Sequence, residues 1–321
     1  MTFEALWIWH PPLPNMKNLY VHARREFELD TVPPRAVVLV TAGSLYRLTV
    51  NGRTIGRGPN PSDPSRYYYD VYSVAGYLQP GRNVVAVACY NYGAETPGII
   101  GQNWGRGGLL LELRESRDGE ALVKTDGSWR VIQAREWDQN AAINCTLLAD
   151  YKETIDTRLR VEGWELVGFD DSQWLAPDVL GPHPMQPYTT LVEREIPFLS
   201  SERVMPVNAY WDSASVTYAW RDDWEVYHDQ RLVRGTRDFE AGRPVEITQT
   251  HEDFTPAVMV DFGRLVSGTP RIDVRNSAGG TVDVLYGEGL HLTRVDRFVL
   301  KGGAQVLEPY NRRTFRYMKL L

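Results

Sequence analysis

Apolar and polar positions alternate in short runs along this chain. They almost nowhere recur at the three-and-four spacing of a helical face. Alternating or β-branched runs fall at residues 36–41, 45–50, 84–90, 109–113 and 129–133, then at 257–261, 271–274 and 282–286. Gly, Pro and Asn turns separate them. The pattern predicts an all-β chain of two consecutive antiparallel β-sandwich (jelly-roll-like) domains. Asn51-Gly52 reads as a two-residue type I′ hairpin turn, because both residue types tolerate the positive φ that this turn requires. Residues 78–83 turn into the β-branched strand 84–90, and Asn276-Ser-Ala-Gly-Gly280 turns between two alternating strands.

The same signals set the expected boundaries. Residues 1–16 are Pro-rich and read as irregular, with Trp7 and Trp9 packed on a neighbour. The first sandwich is expected over 1–181, closing with Trp164 and Phe169-Asp-Asp-Ser-Gln-Trp174. Three of the seven residues 181–187 are Pro, so 182–205 reads as a linker. The second sandwich then runs over 206–321. Its last strand holds Phe315, Tyr317, Met318, Leu320 and Leu321, and is expected to expose apolar area near Glu288.

Composition narrows the function classes. A hydrophobic share of 43% with 24% charged residues is that of an ordinary globular chain. No run of apolar residues is long enough for a membrane helix. The first ten residues lack the basic region of a secretory leader, so a cytoplasmic location is expected. A net charge of −6 argues against a nucleic-acid partner, since phosphate binding needs a basic surface. The two cysteines, Cys89 and Cys145, read as free thiols. No zinc spacing, dinucleotide-binding turn or Walker loop is present, so no cofactor and no metal is expected. Calcium held by loop carboxylates stays open, without an EF-hand-like spacing.

Several motifs carry a resemblance. Leu45-Tyr-Arg-Leu-Thr-Val-Asn-Gly-Arg-Thr-Ile-Gly-Arg-Gly-Pro59 is followed by Tyr69-Asp-Val-Tyr72 and by Leu78-Gln-Pro-Gly-Arg-Asn-Val-Val-Ala-Val87. Asp261-Phe-Gly-Arg-Leu-Val-Ser-Gly268, Val282-Asp-Val-Leu-Tyr-Gly-Glu-Gly-Leu290, Asp296-Arg-Phe-Val-Leu-Lys-Gly-Gly303 and Glu308-Pro-Tyr-Asn-Arg-Arg-Thr-Phe-Arg-Tyr317 come later. In order and spacing they resemble the N-terminal part of bacterial α-L-rhamnosidases. Arg264 and Leu265 depart from that pattern, standing where many relatives carry Gln and Asn. The resemblance implies inverting hydrolysis of terminal α-L-rhamnosides by the parent enzyme. It places the catalytic carboxylates in a helical barrel that would follow this part, so no catalytic residue is assigned here. It also implies L-rhamnose-containing glycosides as carbohydrate partners. The missing barrel, or self-association, would cover the second sandwich. Two rival readings are a free-standing lectin-like binding protein and a self-contained hydrolase using Glu153 and Asp156.

Carboxylate pairs and aromatic loops hold the candidate chemistry. Hydrolysis needs two carboxyls about 5–5.5 Å or 6.5–9.5 Å apart. Asp170-Asp171 reads instead as a turn cap, and Asp222-Asp223 as a polar turn. Tyr151-Lys-Glu-Thr-Ile-Asp-Thr-Arg158 resembles a family segment, and Glu153, Asp156 and Arg158 read as a structural or interdomain ion-pair set, with Glu288 as a further interdomain or core hydrogen-bonding acid. Arg57, Asp63, Arg66 and Tyr69 read as a structural cluster. Sugar binding needs an aromatic face and a few polar groups. The Gly-rich loop 91–108 gathers both, with Tyr92, Glu95, Gln102, Asn103, Trp104 and Arg106. Tyr92, Glu95, Asn103, Trp104 and Arg106 are therefore the candidate carbohydrate-binding residues.

Overall fold

Strands account for nearly all the regular structure in the computed structural model of the chain. The other regular elements among the described residues are two single 3₁₀ turns, Ala75–Tyr77 and Thr157–Leu159. The described residues are 2–13, 16–62, 66–93, 105–145, 150–215, 240, 242–247, 254–276, 279–290, 292 and 294–321. The all-β reading therefore holds. The chain forms two compact units, Met1–Arg135 with Arg160–Phe198, and Glu136–Leu159 with Leu199–Leu321.

The first unit is a sandwich of a seven-stranded and a five-stranded sheet. The larger sheet runs in the order Asp178–Pro182, Leu6–Trp9, Leu109–Arg114, Val37–Ala42, Tyr67–Ser73 and Leu191–Glu193, with Ala121–Lys124 paired to Leu109–Arg114. The smaller runs Arg130–Gln133, Leu19–Leu29, Gly81–Asn91, Leu45–Val50 and Arg53–Gly58. Period-two alternation sorts each strand between faces. Val85, Val87 and Cys89 point into the inter-sheet core with Val38, Val40, Leu48, Leu109 and Leu111. Ala86, on the opposite face, lies under Trp164 and Trp174. Burial pushes the Cys89 thiol far above its usual range, as expected of a packing thiol.

The hairpin signal is realised. Val50 pairs with Arg53, and Asn51 and Gly52 have φ of 48° and 74°. Asn51 also fastens the neighbouring turn. Its Nδ2 donates to Asn83 Oδ1 at 2.8 Å, and its Oδ1 accepts the Val84 N–H at 2.8 Å.

The N-terminal segment departs from the irregular reading. Leu6–Trp9 is a strand paired on both sides, because Trp7 stacks on Tyr188 at 3.7 Å and Trp9 enters the core. The stretch 182–205 is also more ordered than a linker pattern suggests. Leu191–Glu193 pairs in parallel with Tyr67–Ser73, and the first unit extends to Phe198.

The second unit has a six-stranded sheet in the order Thr154–Asp156, Arg294–Val299, Thr281–Gly287, Arg313–Leu320, Phe254–Gly268 and Asn208–Ser215. Ile272–Asn276 and Gly303–Leu307 form a two-stranded ladder over one face of it. The strands Ile272–Asn276 and Thr281–Gly287 thus belong to different sheets. Thr154–Asp156, read from sequence as part of the first sandwich, pairs in parallel with Arg294–Val299 here. The final strand Arg313–Leu320 is central rather than peripheral. Phe315 and Met318 are buried on one face, and Tyr317 and Leu321 pack beside Met259, Leu285 and Val295 on the other. The expectation that Phe315 and Met318 expose apolar area is therefore corrected, because the strand has a neighbour on each side and packed residues on each face.

Candidate functional site

The segment singled out for sugar contact joins Gly81–Asn91 of the five-stranded sheet to Leu109–Arg114 of the seven-stranded sheet. Its stem is closed by the Gly105 N–H donating to the Gly93 carbonyl at 3.0 Å. Asn91 Nδ2 reaches the Gly105 carbonyl at 3.2 Å, while Asn91 Oδ1 accepts from Ser44 Oγ at 3.0 Å. Tyr92 is buried, edge-on to Tyr90 at 4.7 Å, and its N–H donates to Ser44 Oγ. Tyr92 is thus a packing residue of the stem. Arg106 is partly buried and offers its carbonyl to the Tyr188 hydroxyl. Glu95, Asn103 and Trp104 lie outside the described residues, as do Gln102, Asp63, Asp222 and Asp223.

A second constellation unites residues of the Gly-Arg-Gly-Pro and Tyr-Asp-Val-Tyr motifs. Asp70 is fully buried on the inner face of the strand Tyr67–Ser73. It accepts the Tyr46 hydroxyl and the Arg194 Nε. The Tyr46 and Tyr72 hydroxyls lie 3.1 Å apart, and Tyr72 donates to the Arg57 carbonyl at 3.2 Å. Burial, and then Asp70, raises Tyr46 well above the ordinary phenol value. The two glycines are needed because a Cβ at Gly56 would overlap the Tyr72 ring, and one at Gly58 would overlap Asp70. The sequence located these motifs but not the partner Arg194, which lies in the stretch read as linker.

The third constellation lies within the second unit. Glu153 is fully buried, and its Oε1 accepts from Arg313 Nη2 at 2.9 Å and the Asn311 N–H at 2.8 Å. Its Oε2 accepts from the Tyr310 N–H at 2.6 Å and Trp137 Nε1 at 3.1 Å. Arg313 also grips Asp296 through Nε at 2.8 Å and Nη2 at 2.7 Å. The Glu153 N–H donates to Asp296 at 3.1 Å. Three separate motifs thus meet in one buried cluster. Desolvation raises Glu153 above the usual carboxylate range, while Arg313 opposes the shift.

The remaining predicted residues fall apart spatially. Asp156 and Arg158 form a bidentate pair at 2.8 and 2.7 Å, and this hydrogen bonding lowers the Asp156 carboxyl below its usual range. Glu288 is exposed, so the core hydrogen-bonding role expected for it is not seen; it follows the buried end of its strand. Asp170 caps its turn by accepting the Ser172 N–H at 3.0 Å, whereas Asp171 pairs with buried Arg24. Arg66 pairs with Glu195 at 3.1 Å, and Tyr69 reaches Glu193 at 3.4 Å. Among the described residues no group of three or more His, Cys, Asp or Glu is placed to hold a metal, and no helix is long and apolar enough to cross a membrane.

Comparison with known proteins agrees with these motifs. Residues 32–197 match the family described as the alpha-L-rhamnosidase N-terminal domain. Residues 253–320 match the bacterial alpha-L-rhamnosidase concanavalin-like domain. Among solved structures, a GH78 family rhamnosidase of Bacillus sp. GL1 superposes with a TM-score of 0.82 at 19% identity, over 100% of this chain and 53% of that one. The alpha-L-rhamnosidase of Dictyoglumus thermophilum gives 0.65 at 19% identity, over 99% and 34%. That of Streptomyces avermitilis, complexed with L-rhamnose, gives 0.58 at 22% identity, over 95% and 27%. The chain therefore spans about half or less of the length of these structures. No curated protein sequence matches it.

Proposed function

Because the chain belongs to the alpha-L-rhamnosidase family, through its N-terminal and concanavalin-like domains, we propose that it is a non-catalytic region that recognises carbohydrate and supports the catalytic part of such an enzyme. Inverting hydrolysis of terminal α-L-rhamnosides would belong to the whole enzyme. L-Rhamnose is the first ligand to try, since the Streptomyces avermitilis structure was solved with that sugar.

The state of Glu153 supports the non-catalytic half of this reading. A general acid or base must reach the reacting oxygen or a water. Both Glu153 oxygens are already taken by four protein donors in a fully buried cluster. Asp156 is held ionised by Arg158, the opposite of what a general acid needs. Carbohydrate contact is assigned to the loop 91–108, with Trp104 as stacking surface and Glu95 and Asn103 as hydroxyl partners. Tyr92 and Arg106 would hold the stem.

The test pairs two assays on the purified chain. With an aryl α-L-rhamnoside, no turnover is expected. Turnover abolished by Glu153→Gln or Asp156→Asn would overturn the non-catalytic reading. Calorimetry with L-rhamnose should give a weak Kd, on the order of micromolar to millimolar, because one ring buries little area. That heat should fall in Trp104→Ala. An unchanged isotherm would remove the loop from the site.

A further inference from the structure

We propose that the sheet edge Arg294–Val299, with buried Arg313 behind it, is a docking site whose partner is this chain's own segment Glu136–Leu159, and that this non-covalent grip holds the chain together even when the connection after Phe198 is cut.

The segment interrupts the sequence of the first unit. That unit takes Met1–Arg135 and resumes at Arg160, while Glu136–Leu159 belongs to the second unit. The match to the N-terminal domain family, over 32–197, includes the segment, and the match to the concanavalin-like domain, over 253–320, omits it. A boundary drawn after Phe198 therefore leaves part of the second unit on the first unit's side of the cut.

The docked segment supplies backbone, core and charge. Its strand Thr154–Asp156 adds in parallel to Arg294–Val299, and the Arg297 N–H donates to the Glu153 carbonyl at 2.8 Å. Strand addition of this kind occupies backbone groups that an open edge leaves to solvent. Ile155 is wholly excluded from solvent and joins a core cluster with Phe298, Val284 and Leu300. The buried Thr157 hydroxyl lies 2.9 Å from the Val299 carbonyl and 2.7 Å from Gln305 Oε1, and accepts the Lys301 N–H at 2.9 Å. Glu153 closes on Arg313. Without the segment, Arg313 would keep only Asp296, and the Tyr310 and Asn311 N–H groups would lose their acceptor. Orphaned buried donors are costly, so the second unit is incomplete without residues from before Phe198. The segment is also shaped for its place. Trp137 bridges to Ile155, the Asp138 N–H donates to the Thr154 carbonyl at 2.9 Å, and the Asp156 N–H donates to the Glu136 carbonyl at 2.7 Å.

The experiment inserts a site-specific protease sequence between Ser200 and Ser201 of the whole chain and cuts it after folding. Size exclusion over a dilution series from about micromolar downwards reads whether 1–200 and 201–321 elute together. The grip predicts co-elution of the cut parent. Thr157→Val keeps the side-chain shape but loses the buried hydroxyl, so its fragments should part at about tenfold or more higher concentration. Ile155→Asp should release 201–321 altogether, and Thr157→Val decides alone where Ile155→Asp does not fold. Asp156→Asn, whose side chain pairs with exposed Arg158, should elute like the parent. Thermal unfolding of each uncut variant is the folding control. Separation of the parent's fragments in native buffer would overturn the proposal. Co-elution with the same concentration dependence in the parent and Thr157→Val would overturn it too, because something other than the docked segment would then hold the fragments.

Discussion

Arg313→Met asks how much one buried guanidinium holds together. Arg313, Glu153 and Asp296 are all fully excluded from solvent, and Arg313 makes three charge-assisted hydrogen bonds to the two carboxylates. Methionine keeps comparable bulk but leaves two buried acids facing each other. Removing one partner of a buried pair costs about 3–5 kcal/mol, mostly for the charge left behind. The second unit has roughly 150 residues, for which each kcal/mol shifts Tm by about 2–4 °C. A fall of about 6–20 °C is therefore expected in the calorimetric transition of this unit. Hydrogen exchange should accelerate in Thr154–Asp156 and Arg313–Leu320, the strands the cluster joins. Arg316→Met is the internal control. Its pair with Asp261 is more exposed, with 40% of the Arg316 side chain accessible, so a much smaller loss is expected. A transition for Arg313→Met within about 2 °C of the parent, or no lower than that of Arg316→Met, would refute the reasoning.

Three further outcomes follow from the same geometry. Gly58→Ala should destabilise the first unit by about 2 kcal/mol or more, because the new Cβ would overlap Asp70 and lie 2.7 Å from the Tyr46 hydroxyl; urea unfolding close to the parent's would contradict this. Tyr46→Phe removes a donor from fully buried Asp70 and should cost about 1–3 kcal/mol, with a lost cost meaning that Arg194 alone satisfies the acid. Glu153 has a folded-state value raised above the ordinary 4.5, so its proton stabilises the fold below that pH and the benefit is lost as pH rises through the folded value. The stability of the parent minus that of Glu153→Gln should therefore decline with rising pH above 4.5, and a flat or rising difference would refute the shift.

Much of the fold was legible because its signals are local. The hairpin at Asn51-Gly52 depends on two residues, and the alternation of Val85, Val87 and Cys89 depends on one strand. What escaped was non-local. Nothing within residues 150–160 announces that Thr154–Asp156 pairs with a strand some 140 residues later, since parallel pairing leaves no turn signature. A structural ion-pair role for Glu153 can be read from its motif, but its partners Asp296 and Arg313 become visible only when three motifs are folded together. Proline-rich composition likewise hid the strand Leu191–Glu193 and the Arg194–Asp70 pair, because Pro signals a break in local structure and says nothing of tertiary docking. The packing of Tyr92 is non-local in the same way. An aromatic residue beside a Gly-rich loop reads as a surface until its neighbours Tyr90 and Ser44 are in place.

The central claim is that this chain recognises carbohydrate through its first unit and performs no hydrolysis through its buried acids. Hydrogen–deuterium exchange of the whole chain, with and without saturating L-rhamnose, tests this most directly. The account predicts slowed exchange confined to peptides from residues 91–108, with those carrying Glu153, Asp296 and Arg313 unchanged. Protection centred on Glu153, Asp296 and Arg313, or none anywhere, would contradict it.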